Sequence, residues 1–182
     1  MKKFKNKYRI PSNRLRGHDY GSHGHYFVTI CTKNRVHYFG NIVPVETDNC
    51  PSPHNCPAPH NCPALRPTII GQTAIDFWMQ IPNHYPVVEL DAFVVMPDHI
   101  HGVLFLNQHE KHDWRPNRFG PQSQNLGAII RAFKASVKRF ANQNNIEFEW
   151  QSRYYDRIVR NEKALNAIRR YIINNPEKWN RP

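Results

Sequence analysis

Val87-Val88-Glu89-Leu90-Asp91-Ala92-Phe93-Val94-Val95-Met96-Pro97-Asp98-His99-Ile100-His101-Gly102-Val103-Leu104-Phe105-Leu106 holds two runs of apolar, β-branched and aromatic residues joined by Pro97-Asp98. Runs of this kind bounded by turn residues are strands, and Pro-Asp makes a tight reversal between them. The stretch predicts a strand from Val87 to Met96, a short turn, and a second strand from His99 to Leu106 paired antiparallel to the first. On a strand, residues two apart share a face, so His99 and His101 present two imidazoles side by side while Ile100 points to the opposite side. A nitrogen pair on such a support suits a divalent metal with open positions for substrate oxygens. The spacing also arises by chance in a chain with 11 histidines. His23-Gly24-His25 has the same spacing, but its glycines hold no rigid geometry and it is not read as a site.

Outward from this hairpin, Tyr26 to Thr32 is rich in β-branched and aromatic residues and reads as an earlier strand. Gly71 to Ile81 reads as an amphipathic helix with Ala74, Phe77, Trp78 and Ile81 on one face, ended by Pro82. Asn125 to Asn142 is a second helix, with Leu126, Ile129, Ile130, Phe133, Val137 and Phe140 as its apolar stripe and Arg131, Lys134, Lys138 and Arg139 supplying charge. A short strand is expected near Ile146 to Trp150, then a helix from Glu162 to Asn174 stopped by Pro176. This order predicts an α+β fold: a ferredoxin-like antiparallel sheet backed by helices.

With 182 residues and 40% hydrophobic content, one domain over residues 1–182 is expected. The 25 Lys and Arg against 14 Asp and Glu leave a net charge of +11, which points to a polyanion, nucleic acid first, or to a merely soluble basic protein. No apolar run reaches the roughly 18 to 20 residues of a membrane helix, so no membrane partner is expected. The basic start is not followed by an apolar segment, and a cytoplasmic location is expected. Residues 1–20 form a basic arm, carrying Lys2, Lys3, Lys5, Lys7, Arg9, Arg14 and Arg16, that serves either as a phosphate-binding extension or as a solubilising tail.

Residues 44–67 are read as a low-complexity loop insertion. Within it Asn-Cys-Pro-Ser-Pro-His, Asn-Cys-Pro-Ala-Pro-His and Asn-Cys-Pro-Ala recur with a six-residue period. Its prolines exclude helix and central strand. Cys50, Cys56 and Cys62 at C-x5-C-x5-C do not match the usual zinc spacings, and with Cys31 alone elsewhere no disulfide framework emerges.

If the polyanionic partner is nucleic acid, cutting a phosphodiester without an activated water needs a side-chain nucleophile, and a tyrosine phenol can conserve the bond energy as a phosphotyrosine. An ordinary tyrosine is only about 0.1% ionised at pH 7, so a cation nearby helps it. Tyr154, Tyr155 and Tyr171 are the late candidates. On the last helix Tyr171 and Asn175 are four residues apart, hence aligned, and the Asn175 amide oxygen suits a third ligand position. Equally, Tyr171 could border the stripe Leu165, Ile168 and Ile172, with Asn175 as a C-terminal cap.

The sequence resembles the REP-associated tyrosine transposases, a branch of the HUH single-stranded DNA nucleases. The resemblance is carried by Arg14-Leu15-Arg16-Gly17-His18-Asp19-Tyr20 with Tyr26 to Thr32, by Val94-Val95-Met96-Pro97-Asp98-His99-Ile100-His101-Gly102, and by Trp150 to Asn161 continuing into Tyr171-Ile172-Ile173-Asn174-Asn175-Pro176. It spans nearly the whole chain apart from the Cys-Pro-His insertion. It implies that His99, His101 and Asn175 hold Mg²⁺ or Mn²⁺ and that Tyr171 is the catalytic nucleophile on the C-terminal helix. Tyr154 and Tyr155 are then structural or in contact with DNA.

The implied partner is single-stranded, hairpin-bearing DNA, cut and transferred through a 5′-phosphotyrosine. Arg14, Arg16, Lys134, Lys138, Arg153 and Arg157 are candidate DNA contacts. A bacterial, nucleoid-associated protein is implied, as a monomer or a homodimer. The rival readings are a binding module without catalysis, a decayed transposase that still binds hairpins, and a hydrolytic metallonuclease. No run matches the aromatic signature of RNA-recognition sheets, which weighs against the first.

Overall fold

The computed structural model describes residues 3–4, 7–8, 14–15, 17–44, 63–108 and 125–179. After a short ladder of β1 (Lys3–Phe4) with β2 (Lys7–Tyr8) come β3 (Gly24–Cys31), β4 (Gly40–Val43), β5 (Ala64–Pro67), α1 (Ile69–Met79) and α2 (Ile81–His84). The hairpin β6 (Val88–Met96) and β7 (His99–Leu106) follows, then α3 (Leu126–Gln143), β8 (Tyr155–Val159), α4 (Glu162–Ile173) and α5 (Asn175–Lys178). The main sheet runs β6-β7-β3-β8, and every neighbouring pair is antiparallel. β7 lies between β3 and β6, the two strands linked through α1, which is the split crossover of the ferredoxin-like α+β fold. Among the described residues no helix is long and apolar enough to cross a membrane.

Alternation along the strands decides what each face carries. One face sends Val28, Ile30, Ile100 and Leu104 into a core with Ala74 and Trp78 of α1 and Leu126, Ile129, Ile130, Phe133 and Val137 of α3. Both helices start on side-chain caps: Thr68 accepts from the Gly71 N–H at 3.1 Å and Asn125 from the Ala128 N–H at 2.9 Å. Trp78 lies so close to β7 that a Cβ on Gly102 would stand 2.3 Å from its ring, so only glycine admits the indole here.

Among the described residues the other face is covered by α4, where Leu165, Ile168 and Ile172 meet Phe27, Val103 and Val159. α4 is pinned to β6 where the β6–β7 register slips between Leu90 and Phe93: Arg169 donates from Nη2 and Nε to the Asp91 carboxylate at 2.6 and 2.9 Å. Burial raises the Asp91 carboxyl, but the Arg169 and Ala92 N–H bonds and the Arg169 charge outweigh it and leave it below its ordinary value.

Several expectations shift. Ile146 to Trp150 is not a strand: Phe148 is buried, Trp150 makes only an isolated bridge to Thr32, and the fourth strand is Tyr155–Val159. Apolar side chains there fill the core without a ladder, whereas the charges of Asp156 and Arg157 disguise an edge strand. α1 ends at Met79 and α4 at Ile173, ahead of Pro82 and Pro176 as expected, and each proline sits in the first turn of a new short helix, where a missing N–H costs nothing. Ala64–Pro67, the end of the region read as an insertion, pairs with Gly40–Val43. The Cys-Pro-His repeat itself, with Cys50, Cys56 and Cys62, lies outside the described residues.

Candidate active site

His99 and His101 occupy the first turn-proximal positions of β7, 5% and 6% exposed, with ring centroids 4.5 Å apart. Each has its Nδ1 taken. Asp98 Oδ1 lies 2.5 Å from His99 Nδ1, and since a carboxylate only accepts, that nitrogen carries the hydrogen and the Nε2 lone pair is left for another partner. Thr29, opposite His101 in the β3–β7 register, places Oγ1 2.8 Å from His101 Nδ1. One ring nitrogen is tethered and the other presented, the arrangement that outer partners give histidines in metal sites in general.

Asp98 is itself held. Arg35 Nε approaches its second oxygen at 2.7 Å, aimed back by positive φ at Asn34 and Arg35 (53° and 58°), and Thr32 donates its N–H and hydroxyl to the Asp98 carbonyl. Burial pushes His99 below the ordinary histidine value against the opposing Asp98 carboxylate. Burial, with the neighbouring His99 and Arg35 charges, pushes His101 down to about 3. Both shifts favour the neutral imidazole, the form whose lone pair can coordinate a metal.

α4 brings Tyr171 to this pair. Its hydroxyl is 3.1 Å from His101 Nε2, its ring centroid 5.1 Å from that of His101, and its side chain 43% exposed. Eight residues on, Trp179 sets its ring 5.9 Å from His99. Asn175 lies between these two contacts along the chain and is buried. It opens α5, while Asn174 caps α4, so Asn175 is not the expected C-terminal cap. Among the described residues no three His, Cys, Asp or Glu side chains cluster as a metal site.

The basic residues separate. Lys134 donates to the Gln151 and Arg153 carbonyls at 2.7 and 2.8 Å, and Lys138 to the Phe148 carbonyl at 2.7 Å. They sit on α3, across the sheet from the histidines, and fasten the 148–153 segment. Burial lowers the Lys134 ammonium to about 8. Arg14 stacks on the Tyr20 and Tyr154 rings, donates to the Tyr154 hydroxyl and pairs with Asp156 at 3.7 Å, which ties the N-terminal segment to the core face. Arg16 lies outside the described residues. Arg153 is exposed with φ 67°, and Arg157 is exposed on β8 opposite Phe27, on the histidine face. Of the late tyrosines, Tyr154 turns to the core, where burial raises its phenol to about 12.

Asp98, Thr29, Arg35, Phe27 and Trp179 were not among the residues expected from sequence to serve the site. Asp98 was visible as a turn residue beside His99. Thr29 needed the strand register, which no local pattern supplies.

No family model matches the chain. Over 94% of its length it superposes on 75% of a REP-associated tyrosine transposase solved bound to a REP hairpin, at 18% identity and a TM-score of 0.56. The fold is therefore that of the tyrosine transposases, as the sequence resemblance implied. An uncharacterized protein of Haemophilus influenzae (strain ATCC 51907 / DSM 11121 / KW20 / Rd) is 34% identical over 178 residues, which cover 92% of this chain and 88% of the relative. The chain belongs to one protein family with that relative.

Proposed function

We propose that this protein cuts and rejoins single-stranded DNA beside hairpins, with Tyr171 as the nucleophile. The observation that carries the reading is the Tyr171 hydroxyl 3.1 Å from His101 Nε2, an exposed phenol on a tethered histidine pair. Two presented, neutral imidazole nitrogens and a buried amide fit a divalent ion: Mg²⁺ or Mn²⁺ held by His99, His101 and Asn175 would supply Lewis-acid polarisation of the scissile phosphate. The His101 lone pair serves one partner at a time, the Tyr171 hydrogen or the ion.

Tyr171 Oη forms a bond to phosphorus as the bond from phosphorus to the 3′ oxygen breaks. The phenol gives its proton to solvent and solvent returns one to the departing 3′ oxygen, which leaves as a hydroxyl, while the 5′ phosphate stays on the tyrosine. Attack by a second 3′-hydroxyl reverses the step and transfers the strand without an outside energy source. Asp98, Arg35 and Thr29 hold the rings in place, and Arg157, exposed on the same face, is suited to the DNA backbone. The hairpin preference is supported by the solved relative of the same fold, which was captured on a REP hairpin.

The test is a labelled hairpin oligonucleotide incubated with protein and Mn²⁺ and run on a denaturing gel. A covalent adduct is expected with wild type, Tyr154→Phe and Tyr155→Phe, and none with Tyr171→Phe. Cleavage to free 5′-phosphate without adduct would mean hydrolysis, and binding without cleavage would mean a binding module. Either result overturns the proposal.

A further inference from the structure

Tyr154 and Tyr155 are neighbours turned to opposite sides of the sheet edge. Tyr155 stands opposite Thr29, the residue tethering His101, and so lies on the histidine face. It is 50% exposed. Its ring meets Phe27 edge-on at 6.4 Å. Phe27 in turn lies nearly parallel to His101 at 5.5 Å and edge-on to Tyr171 at 6.3 Å. One buried ring thus separates an exposed aromatic from the nucleophile. β8 is one of the two edge strands of the sheet, and Arg157, two residues on, is exposed on the same face.

An exposed ring beside a guanidinium is the pairing that holds single-stranded nucleic acid: the ring stacks on a base and the cation meets the backbone. Resting on the function proposed above, we infer that Tyr155 is a stacking platform for an unpaired base within one or two nucleotides of the scissile phosphate, with Arg157 on the adjoining backbone. Tyr155 acts on the substrate through binding and takes no part in the bond exchange. Stacking requires a base but tolerates any base, so this position sets where the strand lies rather than which sequence it has.

The experiment is a cycle between protein and substrate. In a hairpin oligonucleotide, single abasic replacements are scanned along the unpaired flank, and affinity is measured with wild type, Tyr155→Leu and Tyr155→Phe. One position next to the cleavage site is expected to weaken wild-type binding by about 5- to 100-fold. Tyr155→Leu weakens the intact substrate by a similar factor and is insensitive to that abasic position, while Tyr155→Phe, which keeps the ring, matches wild type. Penalties that multiply, or Tyr155→Leu binding the intact strand like wild type, would overturn the stacking site. The wild-type scan stands whether or not the leucine variant folds. A wild-type adduct with no abasic-sensitive position removes this inference alone, whereas no wild-type adduct removes the proposed function and this site with it.

Discussion

The two faces of the central sheet are made from the same strands and do different work. From β3 and β7, Val28, Ile30, Ile100 and Leu104 go one way and meet two helices, which bury them fully. Phe27, Thr29, His99, His101 and Val103 go the other way, where among the described residues α4 is the helix packed on the sheet. α4 seals the Phe27–Val103 end of that face and reaches the histidine end only with Tyr171, beyond which Trp179 follows. Two-residue alternation thus places the core and the histidine pair back to back on one strand, with Ile100 in the core between the two histidines. Substitutions on the two faces should therefore fail differently.

The sharpest separation comes from His101→Ala. Cleavage should fall by more than the 10- to 100-fold typical of losing an outer support, while the thermal midpoint drops less than for a core variant. Conversely, Ile130→Ala, on buried α3, should cost about 2–5 kcal/mol in urea unfolding and leave the cleavage rate per folded molecule unchanged. Equal losses of activity in both variants would dissolve the distinction. Between these lies Asp98→Asn, which keeps an acceptor for His99 but removes the charge shared with Arg35. Mn²⁺ affinity by titration calorimetry should fall by about 10- to 100-fold with the fold intact.

The smallest effect concerns the contact that pins α4. Because the folded Asp91 carboxyl lies below its ordinary value, its contribution is complete above the unfolded value near 4 and is lost as pH falls through the folded one. Melting curves between pH 6 and pH 2 should show wild type losing slightly more stability than Asp91→Asn. Identical pH slopes would remove Asp91 from the account.

The difference between the faces also explains what could be read in advance. The hairpin was legible because Pro97-Asp98 separates two apolar runs, and α3 because Leu126, Ile129, Ile130, Phe133 and Val137 repeat at helical spacing. These signals are local. β8 was hidden because an edge strand tolerates Asp156 and Arg157, which are answered by Arg14 on one side and solvent on the other. The β4–β5 pair joins four-residue strands across the Cys-Pro-His repeat and carries no pattern of its own. At the site, His99, His101 and Tyr171 were named from spacing and resemblance, and their meeting is a fact of tertiary structure. Thr29 became part of the site only through strand register. Lys134 and Lys138 show in sequence as charges on a helix, and the carbonyls they meet are visible only in the structure.

The central claim is that the exposed phenol meeting His101 is the group that takes the DNA. Mass spectrometry of the protease-digested adduct, formed with a hairpin oligonucleotide and Mn²⁺, tests it most directly. The account predicts the nucleotide mass on the peptide bearing Tyr171 and on no other. The same mass on Tyr154 or Tyr155, with Tyr171 unmodified, would contradict it.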